Sequence, residues 1–228
     1  MSTSCSIYAL QEKRGITSAI SVQGVTKKFR GDTVLNDVSR EFEQGKIHGI
    51  VGNNGSGKTV LMKCICGFYT PSKGKVYVNG KRVGKDTDFP DDLGIIIETP
   101  GFLPGLSGVK NLRILASLKC IATEYTIRES ILRVGLNPDL KKPVSKYSLG
   151  MRQRLGIAQA IMENPSALIL DEPFNGLDKH SVADMRRLIK ELRQQGKTIV
   201  LASHNKADID ELCDTVCEMD AGVMSVIR

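Results

Sequence analysis

Residues Gly52-Asn53-Asn54-Gly55-Ser56-Gly57-Lys58-Thr59 meet every position of the pattern G-x-x-x-x-G-K-[ST]. The apolar run Ile47 to Val51 precedes them and reads as a buried strand, and Val60 to Ile65 follows and reads as a helix. A glycine-rich turn needs neither the lysine nor both flanking elements. The strand–loop–helix order therefore restricts the chain to folds that end a buried strand on a phosphate cradle. Glycines let backbone N–H groups turn inward around phosphate oxygens, and the helix N-terminus adds its positive dipole. Lys58 is placed to reach the β- and γ-phosphates and Thr59 to ligate Mg²⁺. The implied ligand is a nucleoside triphosphate.

The 228 residues fit one domain or a core with an inserted subdomain, and 41% hydrophobic content allows a sizeable core. No run approaches the roughly eighteen apolar residues of a membrane span. Residues 1–18 read as a flexible polar tail without signal-peptide character. Cys5, Cys64, Cys66, Cys120, Cys213 and Cys217 are scattered, which argues for free thiols in a reducing cytoplasm. Cys213 and Cys217 lie four apart but lack two further ligands nearby, so ordinary packing is their expected role. Of the net charge of +7, the excess gathers in residues 101–160, with ten Lys or Arg against three Asp or Glu. With no block of like charges and no interleaved aromatics, this reads as a solvated face rather than a polyanion site, and no nucleic-acid partner is expected.

Alternation of apolar and polar residues marks strands over Ala19–Phe29 and Thr33–Phe42, with turns at Gly31-Asp32 and Gln44-Gly45. Further strands are expected at Gly74–Gly80, ending on an Asn-Gly turn, and at Leu93–Ile97. A loop should span Thr99–Gly108. From Lys110 to about Met162 the pattern is helical, broken at Gly135–Pro138 and Lys142-Pro143. After this come a strand at Ala167–Leu170, a helix at Lys179–Gln195, a strand at Thr198–Ala202, a helix at Lys206–Cys213 and a hairpin turning at Asp220–Gly222. This alternation predicts an α/β fold with a parallel sheet covered by helices.

Three further constellations bear on chemistry. Leu168-Ile169-Leu170-Asp171-Glu172-Pro173 sets two carboxylates at the end of a buried strand, where burial without a task would be costly. Asp171 is expected to hold Mg²⁺, and Glu172 to orient or deprotonate an attacking water. Tyr147-Ser148-Leu149-Gly150-Met151 opens a helix, with Ser148 a plausible N-cap beside an anion-accepting helix terminus. Leu201-Ala202-Ser203-His204 brings a histidine to another strand end, within reach of a γ-phosphate.

The order of these elements resembles the ATP-binding subunit of ABC transporters over residues 19–228. The resemblance implies a P-loop NTPase with a parallel RecA-like core, an antiparallel β subdomain and a helical subdomain at about 99–163. Gly52 to Thr59, with Val60 after it, corresponds to the Walker A loop. Ser148, Leu149, Gly150 and Met151 stand at the signature, which in the family closes on ATP held by a second subunit. Leu168 to Glu172 resembles Walker B with its catalytic glutamate. Asp178 falls in the D-loop, His204 at the switch histidine, and Phe29 where an aromatic ring stacks on adenine. The resemblance further implies ATP and Mg²⁺ as ligands and a homodimer or heterodimer of ATPase subunits. Integral membrane permease subunits would be separate chains, and the location peripheral, on the cytoplasmic face of the cell membrane.

Several positions depart from the family pattern. Glu98 occupies the usual Q-loop glutamine position, where its carboxylate could still ligate Mg²⁺ while adding negative charge. Leu149 and Met151 replace a glycine and a glutamine, and Val60 replaces a second hydroxyl residue. The combination is similar to exporters linked to resistance against bacitracin and lantibiotics. The alternative is a soluble ABC-type ATPase serving an assembly or scaffold system. Such proteins often carry two nucleotide domains or a long insertion, and this chain has neither.

Overall fold

The computed structural model describes residues 18–228. The tail expected over residues 1–18 therefore falls, but for Ser18, outside the described residues, as does Cys5.

The chain opens with an antiparallel pair, β1 (Ser18–Phe29) and β2 (Asp32–Glu43). Next come β3 (Ile47–Val51), α1 (Lys58–Ile65), β4 (Lys73–Val78) and the two-residue β5 (Lys81–Arg82). Asn79 and Gly80 both have positive φ, at 48° and 77°, which closes the β4–β5 hairpin as the Asn-Gly pair predicts. A sheet of order β2-β1-β4-β5 results.

The second sheet holds β6 (Leu93–Ile96), β7 (Ala167–Asp171), β8 (Thr198–Ala202), β9 (Thr215–Asp220) and β10 (Val223–Val226). Its order is β10-β9-β3-β8-β7-β6, parallel throughout except for the β9–β10 hairpin. Every residue of β7 and β8 is buried. Successive side chains of β7 enter different cores, as strand geometry requires. Leu168 and Leu170 pack with the helices, while Ala167 and Ile169 pack with α1 and the antiparallel sheet.

Between β6 and β7 lie α2 (Gly108–Lys119), α3 (Glu124–Arg133), a 3-10 turn at Val144–Lys146 and α4 (Leu149–Ile161). The helical pattern breaks once more than the sequence suggests. Cys120 adopts φ 54°, and Thr123 starts α3 with a capping box to Thr126. A threonine pair three apart was the available signal, but it carries no Glu or Gln at its third position and is easily passed over. The last two helices are α5 (Lys179–Gln194) and α6 (Lys206–Leu212). α6 stops one residue short of expectation because Cys213 turns to extended backbone, φ −86° and ψ 132°. Among the described residues, no helix is long and apolar enough to cross a membrane.

Cys64, Cys66, Cys120, Cys213 and Cys217 carry free thiols. Burial pushes Cys64 up to about 11 and Cys66 and Cys213 up to about 12, so these three stay protonated at neutral pH.

Gly94 fixes how the helical layer meets the sheet. A Cβ there would stand 2.1 Å from the Ala160 carbonyl oxygen of α4 and 2.6 Å from Leu168 Cδ2. Gly94→Ala must push α4 off β6, and we expect a loss of about 1–3 kcal/mol in denaturant unfolding. Gly101→Ala, with open space around the added carbon, should stay within about 0.5 kcal/mol of the parent.

Candidate functional site

The loop between β3 and α1 turns on Gly52, Gly55 and Gly57, with φ of 144°, 82° and 108°. At Gly52 the requirement is also one of space, since a Cβ would lie 2.2 Å from the Met219 carbonyl oxygen. Gly57 caps α1, and no acidic side chain occupies the first turn. The positive helix end thus faces the loop without a competing carboxylate.

Lys58 is only 7% exposed. Its ammonium donates to the carbonyls of Gly52 at 2.7 Å and Asn53 at 3.0 Å, bracing the loop from within. Ser56 Oγ is buried and lacks a hydrogen-bond partner. A buried hydroxyl without a partner is costly and marks a place built for a polar ligand. Both observations fit a phosphate chain.

Thr59 Oγ1 donates to Asp171 Oδ2 at 2.6 Å, joining the start of α1 to the end of β7. A hydroxyl and a carboxylate oxygen side by side suit a hard cation such as Mg²⁺. The next residue, Glu172, has φ 49°. Its N–H donates to Ala202 O at 2.9 Å, and its carbonyl accepts from Gln153 Nε2 at 3.2 Å. These anchors hold the carboxylate toward His204. Oε1 accepts the His204 N–H at 3.0 Å, and Oε2 lies 2.8 Å from His204 Nδ1.

A cavity of about 530 Å³ brings these groups together. Gly55, Gly57, Lys58, Thr59 and Val60 form one wall, and Asp171 and Glu172 another. Asn54 also lines it, whereas Asn53 faces a separate hollow with His204.

Glu98 lines the same cavity. It also has a positive φ, 60°, so both unusual carboxylates of the cavity sit in strained backbone. Its carboxylate is not bonded to the Thr59–Asp171 pair. It takes Lys63 Nζ at 2.6 Å, and this bond, ahead of the cost of burial, raises the lysine pKa. The sequence expectation was a carboxylate that adds negative charge at this position, and the structure gives that carboxylate a partner. The charge is there, and a lysine one turn along α1 meets it.

Phe29 packs edge-on against Tyr69, with ring centres 5.2 Å apart, and Lys27 Nζ stands 4.9 Å over its ring. Val34, rather than Phe29, lines the cavity. Ser148 caps α4 by accepting from Met151 N–H at 3.1 Å. Met151 packs its side chain on the helical core, so its contribution at this terminus is backbone. Leu149 is half exposed and lies against Gly176, where an added Cβ would come within 2.5 Å of it. Gly150 approaches the Gly176 carbonyl, at 2.8 Å from a would-be Cβ. The Ser148–Met151 terminus thus rests on the turn before α5. Asp178 caps α5 through the Ser181 N–H at 2.9 Å, and this bond holds its carboxyl below the usual range.

Lys63, Tyr69 and Gln153 were missed from sequence. Gln153, 6% exposed, is a polar residue on an otherwise buried helix face, and Lys63 is the one charge in the apolar run of α1. Those mismatches were the available signals.

A phosphate loop and a strand-end Asp-Glu pair on a parallel sheet define a P-loop nucleotide-binding protein. The sequence profile of the ABC transporter family matches residues 35–175. The ABC transporter ATP-binding protein YybJ of Bacillus subtilis is 44% identical over 89% of this chain and 93% of its own length. The bacitracin transport ATP-binding protein BcrA of Enterococcus faecalis is 38% identical, over 89% of this chain and 67% of its length. A lantibiotic transport ATP-binding protein of Streptococcus pyogenes, SrtF, is 34% identical over 86% and 85%. A solved ATP-binding subunit of an ABC transporter superposes with TM-score 0.84 at 25% identity, covering 92% of this chain and 90% of its own. The chain belongs to the ABC transporter family, as an ATP-binding subunit and ATPase.

Ser56→Ala separates fold from ligand. Removing an unpartnered buried hydroxyl should leave the unfolding free energy within about 1 kcal/mol of the parent or raise it. ATP affinity in calorimetric titration should fall severalfold.

Proposed function

We propose that two copies of this chain, or this chain and a similar one, form an ATP-driven engine that exports a peptide antibiotic through separate membrane subunits. The reading rests on one observation. Lys58, Thr59, Asp171 and Glu172 line a single cavity, and His204 bonds to Glu172 at its edge. The similarity to bacitracin and lantibiotic transport proteins supports the cargo class. The subunit would lie on the cytoplasmic face of the membrane, against its permease partners.

Each residue has a task in this reading. The N–H groups of Gly55 to Thr59 receive phosphate oxygens, and Lys58 exchanges its two carbonyl acceptors for the β- and γ-phosphates. Thr59 Oγ1 and Asp171 would hold Mg²⁺, which when bound supplies charge neutralisation on the phosphates. Glu172 accepts the proton of the attacking water, and His204 fixes the direction of that carboxylate. Ser148 Oγ and the Gly150 N–H, at the exposed start of α4, donate to ATP bound by the other subunit. Phe29 would flank the adenine, and Asp178 would hold the turn between the two sites. Phe102, Leu103 and Leu106, in the loop after Glu98, would pass closure to the permease.

Glu172→Gln keeps the size and loses the base. It should retain ATP binding, slow hydrolysis at least about 100-fold and accumulate dimers with ATP in gel filtration. Normal turnover would refute the base assignment. Ser148→Arg should bind ATP as the parent does yet stay monomeric with ATP. Dimers at parental strength would remove Ser148 from the interface.

A further inference from the structure

Three carboxylates line the cavity, those of Asp171, Glu172 and Glu98. Two have partners that suit the chemistry proposed above, Thr59 for Asp171 and His204 for Glu172. Glu98 has a different kind of partner. Lys63 comes from the last turn of α1, the helix that the phosphate loop starts. Its side chain is 18% exposed against 63% for Glu98, so the lysine is the enclosed member of the pair and the glutamate the exposed one. The Lys63 ammonium also stands 5.5 Å over the Tyr69 ring, which in turn packs on Phe29. The cation is therefore held from two sides.

We propose that Lys63 is a positioning residue for Glu98. It tethers the carboxylate to α1 and so keeps a third negative charge from turning onto the phosphates. A neutral residue at position 98 would need no tether; a glutamate does. Untethered, the Glu98 carboxylate sits on strained backbone at the cavity wall, free to rotate toward the triphosphate or to compete for its cation. The role deepens the ATP-site reading and rests on it.

The consequence is a dependence of one residue on the other, which a double-mutant cycle measures. ATP affinity is determined by calorimetry in EDTA, so neither metal nor hydrolysis contributes, for the parent, Lys63→Met, Glu98→Gln and the double variant. Lys63→Met should weaken binding about three- to tenfold in the parent background. In the Glu98→Gln background the same change should alter affinity less than about twofold. Melting midpoints should agree across the set, and if Lys63→Met lowers its own, Lys63→Gln replaces it in the cycle. An equal penalty in both backgrounds would mean that Lys63 acts on the nucleotide or on packing without Glu98, and would overturn the proposal. So would parental affinity in the Lys63 single variant. Failure of the parent itself to bind ATP would refute the site reading instead.

Discussion

The register of three parallel strands governs everything else in the site. Asp171 pairs with Ala202 across β7 and β8, and Ala202 pairs with Ile50 across β8 and β3. β7 and β8 therefore finish on one row, and β3 finishes one residue beyond it. The residues that follow, Glu172, Ser203 and the loop opening at Gly52, leave the sheet at the same edge. Slipping one strand by a residue would turn its buried side chains to the opposite face and carry its strand-end residue away from the cavity. Because both faces of β7 and β8 are packed, that slip is strongly opposed. Chemistry at the edge thus inherits its precision from apolar packing beneath it.

Much of this was legible because the signals are local. The Walker A pattern fixes a backbone path by itself, since Gly52 and Gly57 occupy φ values that other residues avoid. The runs Ala167–Leu170 and Ile199–Ala202 are uniformly apolar, which identifies buried parallel strands. Side-chain partners between distant elements were not legible. Nothing near Glu98 in sequence points to Lys63, thirty-five residues away. The break at Cys120 escaped for a different reason: a left-handed non-glycine residue leaves no compositional mark.

The departures from the family pattern separate into two kinds once placed. Met151 is a packing residue, set against the helical core. Val60 packs on the α1 core and also lines the cavity, so it belongs partly to each kind. Leu149 and Glu98 alter surfaces that face the cavity or a neighbouring turn. Leu149 fills the space left by the missing Cβ of Gly176. The leucine and that glycine therefore form a matched pair, and neither can be judged without the other.

The charged side chains around the cavity bond largely within the protein itself, and that bears on the proposed ATP cycle. Lys58 spends its donors on Gly52 and Asn53, Thr59 on Asp171, and Lys63 on Glu98, while Glu172 is held by His204. Ser56 Oγ aside, the proposed ligand would exchange hydrogen bonds rather than create them, so the net gain per contact is small even where each new bond is charge-assisted. A site built this way does not hold its ligand with the full strength of its contacts, which suits a cycle that must release product. The same exchange transmits the event. In the proposed cycle Lys58 would leave the loop carbonyls and the loop would lose its internal brace, and Glu172, in turning to a water, would give up the bond to the His204 backbone. Movement at the phosphates and movement of the strand-end loops are then one change, because the same hydrogen bonds define both.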